Sequence, residues 1–410
     1  MTTEQGLGKE AEFIIMETEA ESQNRRNRRI LGIVVALHWF ALYTYVPYYT
    51  PYIKALGAAA ALVGAAAGSY GLSQMILRIP IGITADKLSC QKFFCSAGLL
   101  LALLSSLGMR LIPNPYALLA FRLLSGVSAA TWVCFPILFS GFYAASESTK
   151  AIADINACNN FGKLAATLAG GAVAAGFGMK SSFTVSVIAA AVGFVLCFFV
   201  KDVKSTKEPV ALVELVKVAK NRLLLLGSFS CALYQFVVCA TALAFTSNVA
   251  ADLGANALQL SLVTLSFMIA NFLVSMVVGR SFVKKLGEKA VVIFAFILLV
   301  VYAVCMPAVR TIWLIYVLQA VCGIANGIFS TLLMDMAVRS VAPEKKSTAM
   351  GAFQAIYGIG MTFGPMVMGS LVQASGYRIG YFVMAGVAAA GGVLIAVRYG
   401  GCVRAAEKQG

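Results

Sequence analysis

The chain alternates between long apolar stretches and short polar or basic segments along almost its whole length. Each apolar stretch is long enough to cross the roughly 30 Å hydrocarbon core of a bilayer as a helix, which takes about 20 residues. Backbone polar groups in lipid must be satisfied within the segment, so such stretches favour helices over barrel strands. The pattern predicts an all-α membrane protein with 12 transmembrane helices. The predicted spans are 31–53, 61–82, 93–111, 115–140, 151–177, 181–200, 223–248, 256–279, 290–309, 312–336, 348–373 and 378–398.

Polar segments flank and divide the predicted spans. Residues 1–29 end in a basic cluster and predict a cytoplasmic, mostly disordered tail, and no apolar stretch precedes them as a cleavable signal peptide requires. Residues 201–222 form the only long internal loop of the predicted pattern, in which 210–220 is expected to form a short amphipathic helix on the membrane surface. The other predicted units are a six-helix bundle at 30–200, a second six-helix bundle at 223–398 and a cytoplasmic tail at 399–410.

Sequence landmarks repeat between the two halves of the chain. At an offset of 197 residues, Gly57 after the first span aligns with Gly254 after the seventh. With one further residue of offset, Gly178 aligns with Gly376. Each half carries six spans, so both copies have the same orientation in the membrane. We therefore expect two six-helix bundles related by a pseudo-two-fold axis along the membrane normal, with a substrate site between them near the midplane.

The composition restricts the class of protein further. The chain is 60% hydrophobic and 12% charged, with a mean hydropathy of +0.85, whereas soluble domains are about 45–50% apolar and about 25% charged. The net charge of +15 does not indicate a nucleic-acid partner, because the basic residues lie at the ends of apolar stretches. The ten cysteines show no C-x-x-C pair and no metal-ligand spacing. No metal, cofactor or disulfide framework is therefore expected.

The positions of the 32 Lys and Arg residues predict the orientation in the membrane. With the N-terminus in the cytoplasm, most of them fall in cytoplasmic segments, as the positive-inside rule requires. The basic residues predicted on the outer side are Lys54, Arg110, Lys180, Arg310 and Arg378. Both termini are therefore expected in the cytoplasm of a multi-pass protein of the plasma (inner) membrane.

The loop after the second span carries the most specific motif. It reads GITADKLSCQK from residue 82, and Gly82, Asp86 and Lys87 fit the pattern G-x-x-x-D-[RK]-x-G-[RK]-[RK]. This pattern is typical of the major facilitator superfamily, which the sequence resembles from residue 31 to about residue 398. The resemblance implies the major facilitator fold and a cytoplasmic latch between the halves, formed by Gly82, Asp86 and Lys87 with Arg78 packed nearby. The positive N-terminus of the eleventh span would stabilise the Asp86 carboxylate.

A second resemblance lies in the fourth span. Arg122 and Gly126 are similar to the family's R-x-x-x-G pattern, whose arginine is implicated in proton coupling in many exporters. In the fifth span, Ala166 and Thr167 stand where exporters of the family often carry Gly-Pro. The resemblance therefore implies a transporter and leaves the direction of transport open.

Ionisable side chains within predicted spans mark the candidate substrate site, because each costs roughly 2.5–3.5 kcal/mol at a helix centre. Lys163, Arg122 and Arg78 qualify, and no acid lies at the predicted membrane centre to neutralise Lys163 or Arg122. The cavity is therefore expected to be electropositive and to favour an anionic solute. The predicted substrate-binding residues are Lys163, Arg122, Asn156, Asn160, Tyr45, Tyr49 and Gln235.

Three residues are candidates for proton coupling. His38 is the only histidine of the chain and histidine titrates near neutral pH, and Arg122 and Asp154 are the others. Each charged residue also has a structural interpretation. His38 would then be a packing residue, Arg78 a support of the latch, Arg122 a donor to carbonyls or tyrosines, Asp154 a gate residue, and Lys163 uncharged through burial.

These observations predict a secondary active transporter that moves a small polar or anionic organic solute by alternating access, coupled to protons. The expected partners are the solute, protons and the lipid bilayer, and the protein is expected to be a monomer. The alternative is a multidrug/proton antiporter that exports amphipathic compounds, and a third interpretation is a non-transporting lipid scramblase or sensor. An enzyme is not expected, because no metal cluster, nucleophile motif or phosphate-binding loop appears in the sequence.

Overall fold

The computed structural model describes residues 2–144, 147–202, 221–278, 283–339, 341 and 346–407, and these residues form helices joined by short turns. The helices of the first half are α1 (Thr2–Tyr43), α2 (Val46–Ala55), α3 (Ala60–Lys87), α4 (Gln91–Leu111), α5 (Pro115–Ala130), α6 (Cys134–Ser140), α7 (Ser148–Phe177) and α8 (Ser181–Phe198). Those of the second half are α9 (Arg222–Ala240), α10 (Thr246–Asp252), α11 (Ala257–Val277), α12 (Val283–Leu286), α13 (Glu288–Cys305), α14 (Ile312–Arg339) and α15 (Lys346–Glu407).

The described helices fit twelve membrane crossings. Ten helical segments are long and apolar enough to span a membrane. The last of them, Ala349–Arg404, has 56 residues and is interrupted by the non-helical Gly376, so it provides two crossings. The remaining crossing is α7, which has 30 residues and packs among the other spans. It is not among the ten apolar segments because polar residues such as Lys163 lower its mean hydropathy.

The first crossing is broken near its outer third. α1 ends at Tyr43, and α2 begins at Val46 with Pro47 in its first turn. A proline there sacrifices no helical hydrogen bond, because the first backbone N–H groups of a helix have no partner within it. The break gives the aromatic residues around Tyr43 a backbone direction that a continuous helix would not allow.

The internal repeat is visible as a repeat of backbone conformation. Gly57 has φ of 88° and Gly254 has φ of 84°, at an offset of 197 residues. Gly178 has φ of 82° and Gly376 has φ of 79°, at an offset of 198. L side chains rarely adopt this left-handed region, so glycine is required at each of these turns. The same turns therefore follow the equivalent spans of both halves.

Helix packing repeats at the same offset. Gly126 of α5 packs so closely on α3 that a Cβ atom would lie 2.5 Å from the Tyr70 carbonyl oxygen. Gly323 of α14 packs in the same way on α11, with the Phe267 carbonyl oxygen 2.3 Å from the position of a Cβ. Gly323 and Phe267 lie 197 residues after Gly126 and Tyr70, respectively. The two bundles thus share their packing, as the pseudo-two-fold relationship requires.

The two halves meet at a pair of equivalent helix crossings. On one side, Gly369 of α15 contacts Gly64 of α3, and a Cβ on Gly369 would lie 2.9 Å from the Gly64 Cα. On the other side, Gly171 of α7 contacts Ser261 of α11, whose Oγ lies 2.6 Å from the position of a Cβ on Gly171. Small residues let helix backbones approach closely, so the seam between the halves is tight at both points.

Polar contacts also join the halves at one end of the bundle. We call the end at which α2 and α10 terminate the outer end, and the opposite end the inner end. Lys54 Nζ donates to Asp252 Oδ1 at 2.6 Å and to the Tyr377 hydroxyl at 3.3 Å. Thr50 Oγ1 donates to the Ala244 carbonyl at 2.6 Å. The outer end is therefore closed in this structure.

The ends of the chain differ from the predicted tails. α1 begins at Thr2, whereas residues 1–29 were predicted to be mostly disordered, and α15 continues through the predicted tail to Glu407. The first segment is rich in Glu and Arg, which favour helix. Arg25 and Glu21, which are one helical turn apart, form an ion pair at 3.3 Å that further stabilises this helix. The amphipathic helix predicted at 210–220 lies outside the described residues.

The close crossing of α3 and α15 predicts unequal effects of two glycine substitutions on α15. In Gly369→Ala, the new Cβ would lie 2.4 Å from the Ala60 carbonyl oxygen, and such overpacking costs about 1–3 kcal/mol. Gly386→Ala is the matched control, since nothing lies within 4 Å of its Cβ position. Thermal unfolding in detergent should show a lower midpoint for Gly369→Ala and an equal or higher one for Gly386→Ala. Equal midpoints for the two variants would contradict the packing described here.

Candidate substrate site

A small central pocket lies at the interface of the two halves. It has a volume of about 100 Å³. The first half contributes α1, α2, α3 and α5, and the second half contributes α9, the irregular turn Thr241–Phe245 after it, and α15. Its principal lining residues are Tyr43, Tyr49, Tyr70, Arg122, Cys239, Leu243, Met361 and Pro365. The pocket therefore lies between the two bundles, as expected from the repeat.

Arg122 is held in this pocket by aromatic rings. Its guanidinium carbon lies 4.3 Å from the ring centroid of Tyr70, 5.1 Å from that of Tyr49 and 5.5 Å from that of Tyr45. Its Nη1 donates to the Tyr45 hydroxyl at 3.3 Å, and its Nε has no hydrogen-bond partner within the described part of the chain. The side chain is buried, with 9% exposed. Cation–π attraction, which grows when water is excluded, thus replaces an ion pair here.

Lys163 of α7 is held in a similar way next to the pocket. Its Nζ lies 4.1 Å from the ring centroid of Trp39 and 5.0 Å from that of Tyr43. Tyr43 also lines the central pocket, so one ring connects the two cations. Asn160 and Asn156 follow Lys163 along α7 towards the inner end, and both side chains are exposed. These three residues form a polar stripe along α7, and none of them lines the central pocket or the inner cavity.

Arg78 is the third cation and joins α3 to α15. It donates to Gln74 Oε1 at 2.6 Å, to the Tyr357 hydroxyl at 2.8 Å and to Gln354 Oε1 at 3.3 Å. Two of these acceptors belong to the other half of the molecule. Arg78 therefore connects the halves by hydrogen bonds, and its role beside the latch stays a prediction.

Among the described residues, none of these three cations forms an ion pair with a carboxylate. The ion pairs present there involve other basic residues, at the ends of helices. A buried charge without an opposite charge is costly. The interface therefore carries an unbalanced positive charge that an anionic ligand would neutralise.

A larger inner cavity of about 410 Å³ lies between the central region and the inner end. Gln74, Arg78, Asp86, Trp132 and Gln354 provide its polar and aromatic lining. Its other walls are mostly apolar and come from α3, α6 and the first turns of α15. This cavity therefore lies on the inner side of the interface, opposite the closed outer end.

The predicted latch residues lie at the wall of the inner cavity. Gly82 and Asp86 line it together with Met350 and Gly351 of α15, which lie in the first turns of that helix. Asp86 Oδ1 also accepts a hydrogen bond from Gln91 at 2.6 Å. Lys87 is the exposed last residue of α3. The arrangement brings Asp86 towards the N-terminus of α15, and the latch function stays a prediction.

The residues predicted for proton coupling lie apart from each other. His38 is fully buried beside Phe135, with 5.0 Å between ring centroids, and neither ring nitrogen has a hydrogen-bond partner among the described residues. It lines neither the central pocket nor the inner cavity. Asp154 accepts a hydrogen bond from the Tyr143 hydroxyl at 2.8 Å, and the Arg28 guanidinium lies 4.7 Å from the ring of Tyr143. Asp154 is therefore part of a small network near the inner end.

Two further predicted residues, Tyr45 and Gln235, lie behind the wall of the central pocket and do not line it. Tyr45 is fully buried and its hydroxyl forms a 2.9 Å hydrogen bond with Ser125 Oγ, so it orients Arg122 without lining the cavity. Gln235 Oε1 accepts from Cys239 Sγ at 3.6 Å, one helical turn from the pocket wall. Of the predicted tyrosines, Tyr49 alone lines the central pocket.

Sequence reasoning missed Trp39 and Tyr43 as partners of Lys163. They are four residues apart on α1 and therefore share a helical face. That spacing could have indicated a shared aromatic face, but aromatic residues four apart also occur in packed helix interfaces. The choice between the two required the position of Lys163 on another helix.

Comparison with known proteins identifies the family. Residues 31–249 and 224–408 match the family profile of the Major Facilitator Superfamily. The chain belongs to the major facilitator superfamily. It is therefore a membrane transporter and not an enzyme. The second matched segment covers the second half, and the first covers the first half and continues into α10.

Several relatives are transporters with different named substrates. The inner membrane transport protein YajR of Escherichia coli K12 is 28% identical over 90% of this chain and 80% of its own. The nitrite extrusion protein of Bacillus subtilis 168 is 25% identical over 79% of this chain and 82% of its own. The multidrug resistance protein MdtG of Citrobacter koseri is 27% identical over 70% of this chain and 68% of its own.

A solved structure supports the fold independently. The crystal structure of the nucleoside transporter NupG superposes with a TM-score of 0.74, covering 91% of this chain and 99% of its own, at 16% sequence identity. At this identity the likeness concerns the fold alone. Since these transporters differ in their named substrates, family membership does not define the solute of this chain.

Arg122 has no ion-pair partner among the described residues, so its replacement is expected to affect stability differently from the replacement of a paired arginine. Arg122→Met replaces a buried, unneutralised charge by an apolar side chain of similar length, which is often neutral or stabilising. Arg339→Met is the contrasting variant, because Arg339 pairs with the nearly buried Glu288 at 2.6 Å. Thermal unfolding should give an unchanged or higher midpoint for Arg122→Met and a lower one for Arg339→Met. A large loss of stability in Arg122→Met would show that Arg122 is mainly structural.

Proposed function

We propose that this protein is a secondary active transporter of a small anionic organic solute, which binds between the halves through Arg122 and Lys163. The observation that supports this most directly is the unbalanced positive charge at the interface. Within the described residues, Arg122 and Lys163 contact aromatic rings in place of carboxylates. Arg122 lines the central pocket, and Lys163 lies beside it against Tyr43, which also lines the pocket. Charge-assisted hydrogen bonds from guanidinium or ammonium to carboxylate are stronger than neutral ones.

The cavity volumes favour an anion with a compact charged group. The central pocket of about 100 Å³ has room for about three waters, taking about 30 Å³ for each. A carboxylate group needs a comparable volume. The inner cavity of about 410 Å³ would then receive the rest of the solute, whose contacts there are with Trp132, Ile79 and Met350.

Alternating access is the mechanism that the arrangement of contacts supports. The outer end is closed by contacts of Lys54, Asp252 and Thr50, whereas the larger cavity of the interface lies on the inner side. An outward-open state requires these contacts to separate. An exposed ion pair contributes only about 0–1 kcal/mol, so the pair at the outer end can break and reform during a transport cycle.

Proton coupling is a further part of the proposal. His38, Arg122 and Asp154 remain the candidates, and His38 has two unpartnered ring nitrogens in a buried position. Its ring contacts Trp39, with 5.8 Å between centroids, and Trp39 contacts Lys163. A change of charge at His38 would therefore act on the substrate site through one aromatic ring. Solute uptake driven by an imposed pH gradient is the measurement that tests coupling.

A multidrug/proton antiporter is the second candidate. The relationship to MdtG and the apolar walls of the inner cavity favour it. The positive charge of the interface argues against cationic drugs, which are repelled by Arg122 and Lys163. A drug-susceptibility screen in a host that lacks its own exporters distinguishes the two candidates, because only an exporter of drugs raises resistance.

The proposed anion site predicts that each of two charge-removing substitutions weakens ligand binding. Arg122→Gln and Lys163→Gln each remove a charged contact worth about 1.5–3 kcal/mol, which is roughly 10- to 100-fold in affinity. Lys150→Gln on the same helix is the control, since Lys150 pairs with Glu147 at 3.0 Å at the inner end. A thermal-shift screen across organic anions, sugars and drugs selects the ligand, and radiolabelled uptake into proteoliposomes measures transport. Wild-type uptake of an anionic substrate by both Gln variants would reject the site.

The ion pair at the outer end predicts a change in the balance between the two access states. Lys54→Gln should raise the outward-open fraction by up to about fivefold, from a loss of about 1 kcal/mol. Spin labels at Leu56 and Leu253, on the equivalent outer turns, report the opening as a distance distribution. The charge reversal Lys54→Asp with Asp252→Lys should restore the wild-type distribution. If the reversed pair opens as far as the single variant, the contact does not act as an electrostatic closure.

A further inference from the structure

A groove at the inner end of the second half is separate from the transport pathway. It lies between the first turns of α9 and the last part of α15 and has a volume of about 770 Å³. Arg222, Leu225 and Phe229 form the wall from α9. The pocket residue Cys239 follows Arg222 by 17 positions on the same helix, which is about 25 Å along its axis.

Charge and apolar surface are separated along this groove. Arg222 is the first residue of α9, and Phe229 lies about 10 Å deeper in the bundle at 1.5 Å per residue. The part of α15 that follows Gly376 runs antiparallel to α9, so Leu394 lies one turn deeper in the bundle than Arg398. The two arginines therefore share the end nearest to the solution, and the apolar side chains share the end nearest to the membrane interior.

The groove is open and its positive charge is not neutralised by the described residues. None of its lining residues is acidic, and within the described part of the chain Arg222 and Arg398 are exposed without an ion pair. Phe229 is 52% exposed and Val397 is 71% exposed. Since both side chains face outwards from a membrane-spanning bundle, the groove is accessible from the bilayer.

We propose that this groove binds an anionic phospholipid, whose phosphate lies between Arg222 and Arg398 and whose acyl chain follows Phe229, Leu394 and Val397. The planar guanidinium group matches the geometry of phosphate oxygens, with two parallel hydrogen bonds. Basic pockets between transmembrane helices near the headgroup level recognise anionic headgroups. The apolar floor matches an acyl chain, which a free inorganic phosphate lacks. The lipid therefore fits both parts of the groove, whereas a soluble anion fits one.

The proposal is tested on the full-length protein in neutral detergent. Phosphatidylglycerol and phosphatidylcholine with identical acyl chains are titrated separately, and binding is measured by native mass spectrometry and by the thermal midpoint. Phosphatidylglycerol should bind the wild type more tightly. The double variant Arg222→Gln with Arg398→Gln should bind it roughly thirtyfold more weakly, which corresponds to about 2 kcal/mol at about 1.4 kcal/mol per factor of ten.

Matched controls separate this site from general electrostatic attraction. Arg404→Gln removes a charge from the same end of α15 outside the groove and should retain the preference for phosphatidylglycerol. Inorganic phosphate should not compete at concentrations that leave the lipid bound. Equal binding of the two lipids to the wild type, or unchanged preference in the double variant, would overturn the proposal. Displacement of lipid by a synthetic peptide of residues 203–220 would also overturn it, because that linker would then be the occupant.

Discussion

The burial of positive charge between two apolar bundles is the constraint on which the other features of this transporter depend. Charge in a low-dielectric interior is tolerated only with compensation, and in the described residues Arg122 and Lys163 obtain it from the faces of tyrosine and tryptophan rings. Aromatic faces lower the cost of the cation without cancelling its charge. A carboxylate in the same place would neutralise the positive charge on which the proposed anion site depends.

The duplicated scaffold places this charge at a surface that can open. Glycine and serine crossings at Gly64, Gly369, Gly171 and Ser261 bring the halves into close contact at two equivalent points, and neither contact involves bulky interlocking side chains. Such a seam separates without leaving large cavities in either half. The polar residues are concentrated on α7 and α3, so the first half supplies the charge while the second half supplies much of the apolar wall.

The sequence predicts the spans and the charged residues well because both follow from the cost of polar groups in lipid. That rule identifies Lys163 and Arg122 from position alone. It also explains why α7, the helix with this polar face, has the weakest apolar signal. The aromatic partners were harder to predict, since Tyr43 and Tyr70 act through neighbours on other helices. His38 and Tyr45 share a face of the first span, but the break after Tyr43 and the packing of Phe135 direct them into the core.

The ion pair at the outer end has a consequence for the origin of the molecule. Lys54 and Asp252 are 198 residues apart, so they occupy nearly equivalent positions on either side of the pseudo-two-fold axis. In a dimer of identical halves, every contact away from the axis would be formed twice, once on each side. At an offset of 197 residues, Ala251 is the equivalent of Lys54 and Ala55 is the equivalent of Asp252, so this ion pair is formed once. Fusion of the halves into one chain thus permits a single asymmetric contact, where a homodimer would form two copies or none.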